Sequence, residues 1–208
     1  MSTLQLFART PIDETRAPFA LFSACRSYRY VLGRALSGDP YRLLSVCMIN
    51  PSRAAASEND PTIVRWIGYG ERWGFGGLLV ANLAAAVATN VRDLRTLVDP
   101  IGPLNDVAVL AVIHGGAWLE ALALQLGQTV PAWATVAVRL FVCGWGPPSK
   151  AGMPLAETIR RRAAGVLVAA RAAGVIPHAL ALSKDGYPVH PLMQRADLLP
   201  VPIPEVGA

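Results

Sequence analysis

Residues 43–51 read LLSVCMINP, and residues 77–83 read GLLVANL. Each is a short apolar run that stops at a polar residue, and the first then meets a proline. Runs of this length without polar alternation are the pattern of strands buried on both faces. Two more segments fit the same reading, TVAVRLFVC at 135–143 and HALAL at 178–182. Helical segments fall between them. Asp60-Pro61 opens one, with Asp60 as N-cap and Pro61 as first helical residue, and Gly74 stops it. Residues 104–126 read as a single helix starting at Asn105 and Asp106. Residues 154–173 read as an amphipathic helix capped by Gly174.

Strand and helix therefore alternate along the chain. That predicts an α/β fold in a single domain, with a mostly parallel, four-stranded central sheet and helices on both faces. Residues 1–24 read as an irregular N-terminal arm, 25–200 as the domain and 201–208 as a C-terminal tail. In residues 25–35 aromatic and basic side chains alternate, placing Tyr28 and Tyr30 on one strand face and Arg29 on the other.

The chain has 208 residues, of which 53% are hydrophobic and 16% charged. This composition excludes disordered, coiled-coil and collagen-like classes. The net charge is +5, and every basic residue except Lys150 and Lys184 is Arg. Such a balance permits a polyanionic partner. Cys25, Cys47 and Cys143 lack metal-ligand spacing, so neither a zinc ribbon nor a four-Cys cluster is expected, and no metal or cofactor is implied. Cys47 and Cys143 read as core residues. The N-terminus lacks a signal-peptide core, and no segment reads as a membrane span. A cytoplasmic location without membrane association is expected.

In an open α/β sheet, ligands bind beyond the carboxyl ends of the strands. Here that rule selects the loops 50–60, 82–90, 144–150 and 183–192. Asn50 follows the first buried strand, and its amide either orients a water or substrate or caps the loop. Asn82 is a lone amide in an apolar run, so it takes its partners from a substrate edge or from nearby backbone. His190 follows a glycine turn and could donate to a developing anion. Asp60 is an N-cap with a possible second role as a base. Arg53, Lys184, Arg160 and Arg161 are candidate phosphate contacts, or solvated side chains. Nucleotide-binding glycine loops, P-loops, zinc-protease and serine-hydrolase signatures are absent.

Taken in order, YRYVLGR (28–34), MINPSRA (48–54), DPTI (60–63), ANL (81–83), DPIGPLND (99–106), GWG (144–146) and SKDGYPVHPL (183–192) resemble the domain-of-unknown-function family 1643, found in bacteria and phages. The motif order also resembles the uracil-DNA glycosylase superfamily, in its mismatch-specific uracil/thymine branch. That resemblance implies a hydrolase of the N-glycosidic bond in DNA repair or base modification. Asn50 would position the attacking water, and Asn82 would read the base's amide edge. His190 would donate to the leaving base. Pro51, Ser52, Pro191 and Leu192 would shape the base site, and Leu192 or Met193 would wedge into the vacated stack. Trp66, Tyr69 and Trp145 are candidates for the stacking aromatic. Met48 and Ser52 stand where that branch has glycines, and Leu192 stands where a Ser is usual.

The expected partner is DNA or a nucleotide, and the oligomeric state is left open. A non-catalytic nucleotide or nucleic-acid binding module on the same fold is the alternative. A third reading is a different hydrolase with Asp60 as base.

Overall fold

Strand β3 (Asp39–Met48) is the spine of the molecule. The computed structural model describes residues 16–52 and 58–205. Successive residues of β3 serve opposite faces. Leu43 and Cys47 belong to one core, and Leu44, Val46 and Met48 to the other. Both faces of the strand are covered, which is why its inner half reads as apolar sequence apart from Ser45.

The elements preceding and following β3 are β1 (Phe19–Phe22), β2 (Arg29–Ala35), α1 (Pro61–Arg72), β4 (Phe75–Asn82), α2 (Asn105–His114), α3 (Ala117–Gln125), β5 (Val138–Cys143), α4 (Leu155–Ala172), β6 (Pro177–Ala179) and β7 (Val201–Pro202). They form a mixed seven-stranded sheet in the order β1-β2-β4-β3-β5-β6-β7. Helix α1 packs on one face through Ile63, Trp66 and Tyr69. The other face carries α2, α3 and α4, represented by Val112, Leu119 and Ile159.

The four strands legible in the sequence are β3, β4, β5 and β6, and they are mutually parallel. The expected count of four is corrected to seven. Strands β1, β2 and β7 are added at the two margins, each through antiparallel pairing. Residues 19–22, placed by the sequence in an irregular arm, form edge strand β1, and 201–202 of the expected tail pair with β6. Strands β1 and β7 are only four and two residues long, so local pattern carries little trace of them, whereas β2 lies in the stretch 25–35 that side-chain alternation places on a strand, and only its antiparallel seat beside β4 went unread.

The helix expected over 104–126 is two helices. Gly115 and Gly116 adopt φ values of 68° and 53° between α2 and α3. An L side chain is disfavoured in that region, and the break lets α3 turn away from α2. Both helices are apolar nearly all round, which hid the interruption. Helix α1 begins as expected. The Asp60 carboxylate accepts the Ile63 N–H at 2.9 Å, and the chain turns out again at Gly74, φ 77°. No helix among the described residues is long and apolar enough to cross a membrane.

Two registers set the edge where the parallel strands finish. Met48 lies opposite Asn82, and Cys47 opposite Cys143, so β3, β4 and β5 end almost level. The chain leaves β3 for β4 on one side and later returns to β5 on the other. A crevice opens at such a switch point, beyond the carboxyl ends of the strands.

Candidate functional site

The backbone ladder continues past the strand ends. Leu83 and Ala84 donate to the carbonyls of Met48 and Ile49 at 2.8 and 2.9 Å, and Ala88 donates to Pro51 at 3.1 Å. These bonds hold the loop after β3 against the loop after β4. Helix α2 buttresses the β4 tip from below. The buried Asn105 side chain donates to the carbonyls of Asn82 and Leu83, both at 3.0 Å. The turn leading into α2 is docked in turn. Tyr28 Oη donates to the Asp99 carbonyl at 3.0 Å, and a Cβ on Gly102 would lie 2.8 Å from the Tyr28 ring.

An inner pocket of about 160 Å³ opens at this edge. Asn50, Ser52, Asn82 and His190 all line it, together with Arg29 and Asp60. A cavity of roughly 150 Å³ is enough to hold a benzene ring. A larger outer chamber of about 550 Å³ adjoins it and shares Ile49, Asn50, Thr89 and His190 with the pocket wall.

The three principal side chains are held in different ways. The Asn50 amide NH₂ donates to the carbonyls of Ala88 at 2.9 Å and Pro51 at 3.1 Å. Two carbonyl acceptors fix which end of the amide is nitrogen, and they leave Oδ1 as its acceptor for a ligand. Asn82 differs. Its residue is 2% exposed, yet among the described residues nothing hydrogen-bonds its side-chain amide. The part of the side chain that is not enclosed faces the pocket, where the amide can meet a ligand or water.

His190 caps the turn Pro191–Met193, and its Nδ1 accepts the Leu192 N–H at 3.4 Å. That bond assigns the ring proton to Nε2. Burial depresses its pKa below the ordinary 6.5, and the positive charge of Lys150 adds to the effect, against a smaller opposing pull from Asp60. The imidazole is therefore a neutral donor at pH 7. Gly146, φ 73°, lies under it, and a Cβ there would stand 3.5 Å from His190 Cβ. The GWG motif thus seats the His190 loop.

Linkage makes this testable. Because the folded value lies below the unfolded one, the unfolded chain takes up the proton first as pH falls. Stability is expected to decline as pH drops from the ordinary His value, 6.5, toward the depressed folded value, and to level off below it. Urea midpoints measured across that window should flatten in a His190→Gln variant. An unchanged slope would show that His190 is not the group responsible.

Arg29 was not among the site residues expected from sequence. It is the first residue of β2, which runs antiparallel to β4 and so brings its N-terminal end to the edge where β3 and β4 finish. Arg29 is buried, and desolvation lowers its guanidinium pKa to about 10, a shift that the negative charge of Asp60 opposes. Asp60 also accepts a short hydrogen bond from Ser52 Oγ. One carboxylate therefore caps α1, holds Ser52 and sits beside the buried Arg29. The aromatic–basic alternation at 28–30 was the sequence signal that could have drawn attention to Arg29. Lys150, in the outer chamber, had no motif of its own.

The remaining residues are placed as follows. Leu192 and Met193 are exposed at the rim of the outer chamber, and Pro191 is buried behind them, near Gly144. Arg160 and Arg161 lie on exposed α4 and pair with Glu157, outside both cavities. Lys184 is exposed and lines neither. Arg53 falls outside the described residues. Trp66 and Tyr69 belong to the α1 core. Trp66 Nε1 donates to Met48 Sδ at 3.1 Å, and Tyr69 Oη donates to the Arg195 carbonyl at 2.6 Å. Trp145 alone of the three lines the outer chamber.

Cys47 and Cys143 are buried, and desolvation raises both thiols, Cys47 to about 12, so neither is a poised thiolate. Among the described residues no group of three His, Cys, Asp or Glu side chains is placed to hold a metal ion.

A family model described as a protein of unknown function, DUF1643, matches residues 29–192. No curated protein and no solved structure matches the chain. The matched span begins at Arg29 and ends at Leu192, so it contains every residue of the inner pocket.

Proposed function

This chain belongs to the DUF1643 family, and we propose that its inner pocket receives a pyrimidine-like base and that the site hydrolyses the N-glycosidic bond holding it. One observation carries the reading. The Asn82 amide makes no hydrogen bond among the described residues and opens on a ring-sized pocket whose wall also holds Asn50 and His190. An amide offers a donor and an acceptor side by side, which is the complement of a pyrimidine's imide or amide edge.

The chemistry then assigns itself by what each group can do. Asn50 Oδ1 accepts a hydrogen bond from a water and orients its lone pair toward the sugar C1′. As the water oxygen bonds to C1′, the C1′–N bond breaks and its electron pair stays with the base. Negative charge accumulates on the base oxygen, where neutral His190 donates through Nε2–H. The proton lost by the water ends on the departing base. Preorganised donors at a developing anion are worth several kcal/mol of barrier in a site closed to bulk water. The resemblance of the motif order to the uracil-DNA glycosylase superfamily supports the same assignment.

The test is release of free base from DNA containing uracil, a thymine mismatch or hydroxymethyluracil. Wild-type protein is expected to release base from at least one of them. Folded protein that binds such DNA and releases nothing from the panel would overturn hydrolysis and leave a non-catalytic binding module on the same site.

A further inference from the structure

The inner pocket has room for a ring and little more, so whatever the ring carries must lie past Asn50 and His190, in the outer chamber. At about 550 Å³ that chamber falls within the roughly 300–1,000 Å³ typical of small-molecule sites. Among the described residues its lining contains no carboxylate. Among the described residues its single permanently charged side chain is Lys150, carried on the turn Pro148–Ala151 that follows β5. Among the described residues Lys150 forms no salt bridge, in contrast to Arg160, Arg161 and Arg195, which all have carboxylate partners. Asn90, Ser183 and Gln194 add polar groups to the same wall. The indole of Trp145 also lines it, with its N–H enclosed and without a partner among the described residues. The two cavities thus differ in kind. The inner one contains a carboxylate and a guanidinium side by side, and the outer one is cationic with neutral hydrogen-bonding groups.

From this arrangement we infer that the outer chamber is a phosphate subsite anchored by Lys150, so that the site takes a phosphorylated nucleotide rather than a free base or nucleoside. The inference rests on the proposed base pocket for the rest of the ligand, and the phosphate part stands on the outer chamber alone. A phosphate monoester of a mononucleotide and a phosphodiester within a DNA strand share this chemistry. An anion beside Lys150 would also offset the charge that helps hold His190 neutral, so the imidazole reports on occupancy.

The experiment follows the His190 ring resonances by NMR in wild-type and Lys150→Met protein. The probes are inorganic phosphate, deoxyuridine, its 5′-monophosphate and a uracil-containing single strand. Lys150 is exposed, and its side chain makes no hydrogen bond within the described residues, so the substitution should leave the fold intact. Inorganic phosphate is expected to bind wild-type protein and raise the His190 pKa. The Lys150→Met variant should lose about tenfold or more in phosphate and nucleotide affinity, the scale of a charge-assisted hydrogen bond. An advantage of the monophosphate over deoxyuridine marks the monoester. Strand binding with a steep salt dependence and no such advantage marks the diester.

Equal affinity of the two proteins for phosphate and nucleotide would overturn the subsite. Deoxyuridine binding that survives that result would leave the base pocket standing. Phosphate binding lost in Lys150→Met, with no binding of deoxyuridine, would do the reverse.

Discussion

Asn50→Ala is expected to slow single-turnover base release by roughly 10²–10³-fold, the cost of removing one preorganised polar group from a reacting centre, while nucleotide affinity stays nearly unchanged. The asymmetry follows from how Asn50 is held. Its NH₂ is already committed to the Ala88 and Pro51 carbonyls, so the residue spends no donor on a ligand. Only Oδ1 remains, and a positioned water needs an acceptor. Binding energy that appears only when the water attacks changes the rate and leaves the ground state alone. His190→Ala belongs to the same experiment and should also act on the chemical step, because charge reaches the base oxygen only as the bond breaks. Burst-resolved kinetics separate the two effects. A fall in affinity that accounts for the whole loss, with the chemical step untouched, would refute both assignments.

Asn82→Leu is expected to make the protein more stable and useless for base recognition. The two side chains branch alike at Cγ, and the Asn82 amide makes no hydrogen bond among the described residues. Replacing it by an apolar group should remove the cost of holding a polar group in a largely enclosed place, about 1 kcal/mol. The backbone carbonyl that accepts from Asn105 is retained, so the β4 tip should not move. Urea unfolding should show a higher midpoint at constant slope. In the same protein, binding of a pyrimidine nucleotide should fall by about 10²-fold or more, since the base's polar edge would face hydrocarbon. Stability given up at a binding site is the usual direction of this trade. A lower midpoint would mean that the amide is satisfied in the unliganded protein, and the base-reading role would fall with it.

Much of the site was legible because strand tips announce themselves. An apolar run that ends at Asn50, another that ends at Asn82 and a glycine turn before His190 are local patterns, and parallel β-sheet topology sends such tips to one edge. Asp60-Pro61 was legible for the same reason, since a cap and a first helical residue are set by their immediate neighbours. Arg29 was hidden because it belongs to a strand of opposite sense. Its place at the pocket depends on β2 pairing with β4, more than forty residues away in the chain. Lys150 was hidden because the loop after β5 carries no motif around it beyond GWG. Conversely, Arg160 and Arg161 stood among the candidate phosphate contacts. The fold turns Arg160 and Arg161 toward Glu157, and Arg162 toward Asp106 and the Leu83 carbonyl.

Local chemistry in the sequence by itself determined the four parallel strands, the start of α1, and the polar residues at three strand and loop ends, because burial on both faces and helix capping act over a few residues. Only the tertiary structure decided that seven strands share the sheet, that the apolar stretch 104–126 breaks at two glycines, and that a ring-sized hollow gathers Arg29 and Asp60 with the two amides and the imidazole. The first and last of these depend on pairing register and strand sense, which arise between segments far apart in the chain and leave no periodic mark within any one of them, while the break was masked by two helices apolar nearly all round.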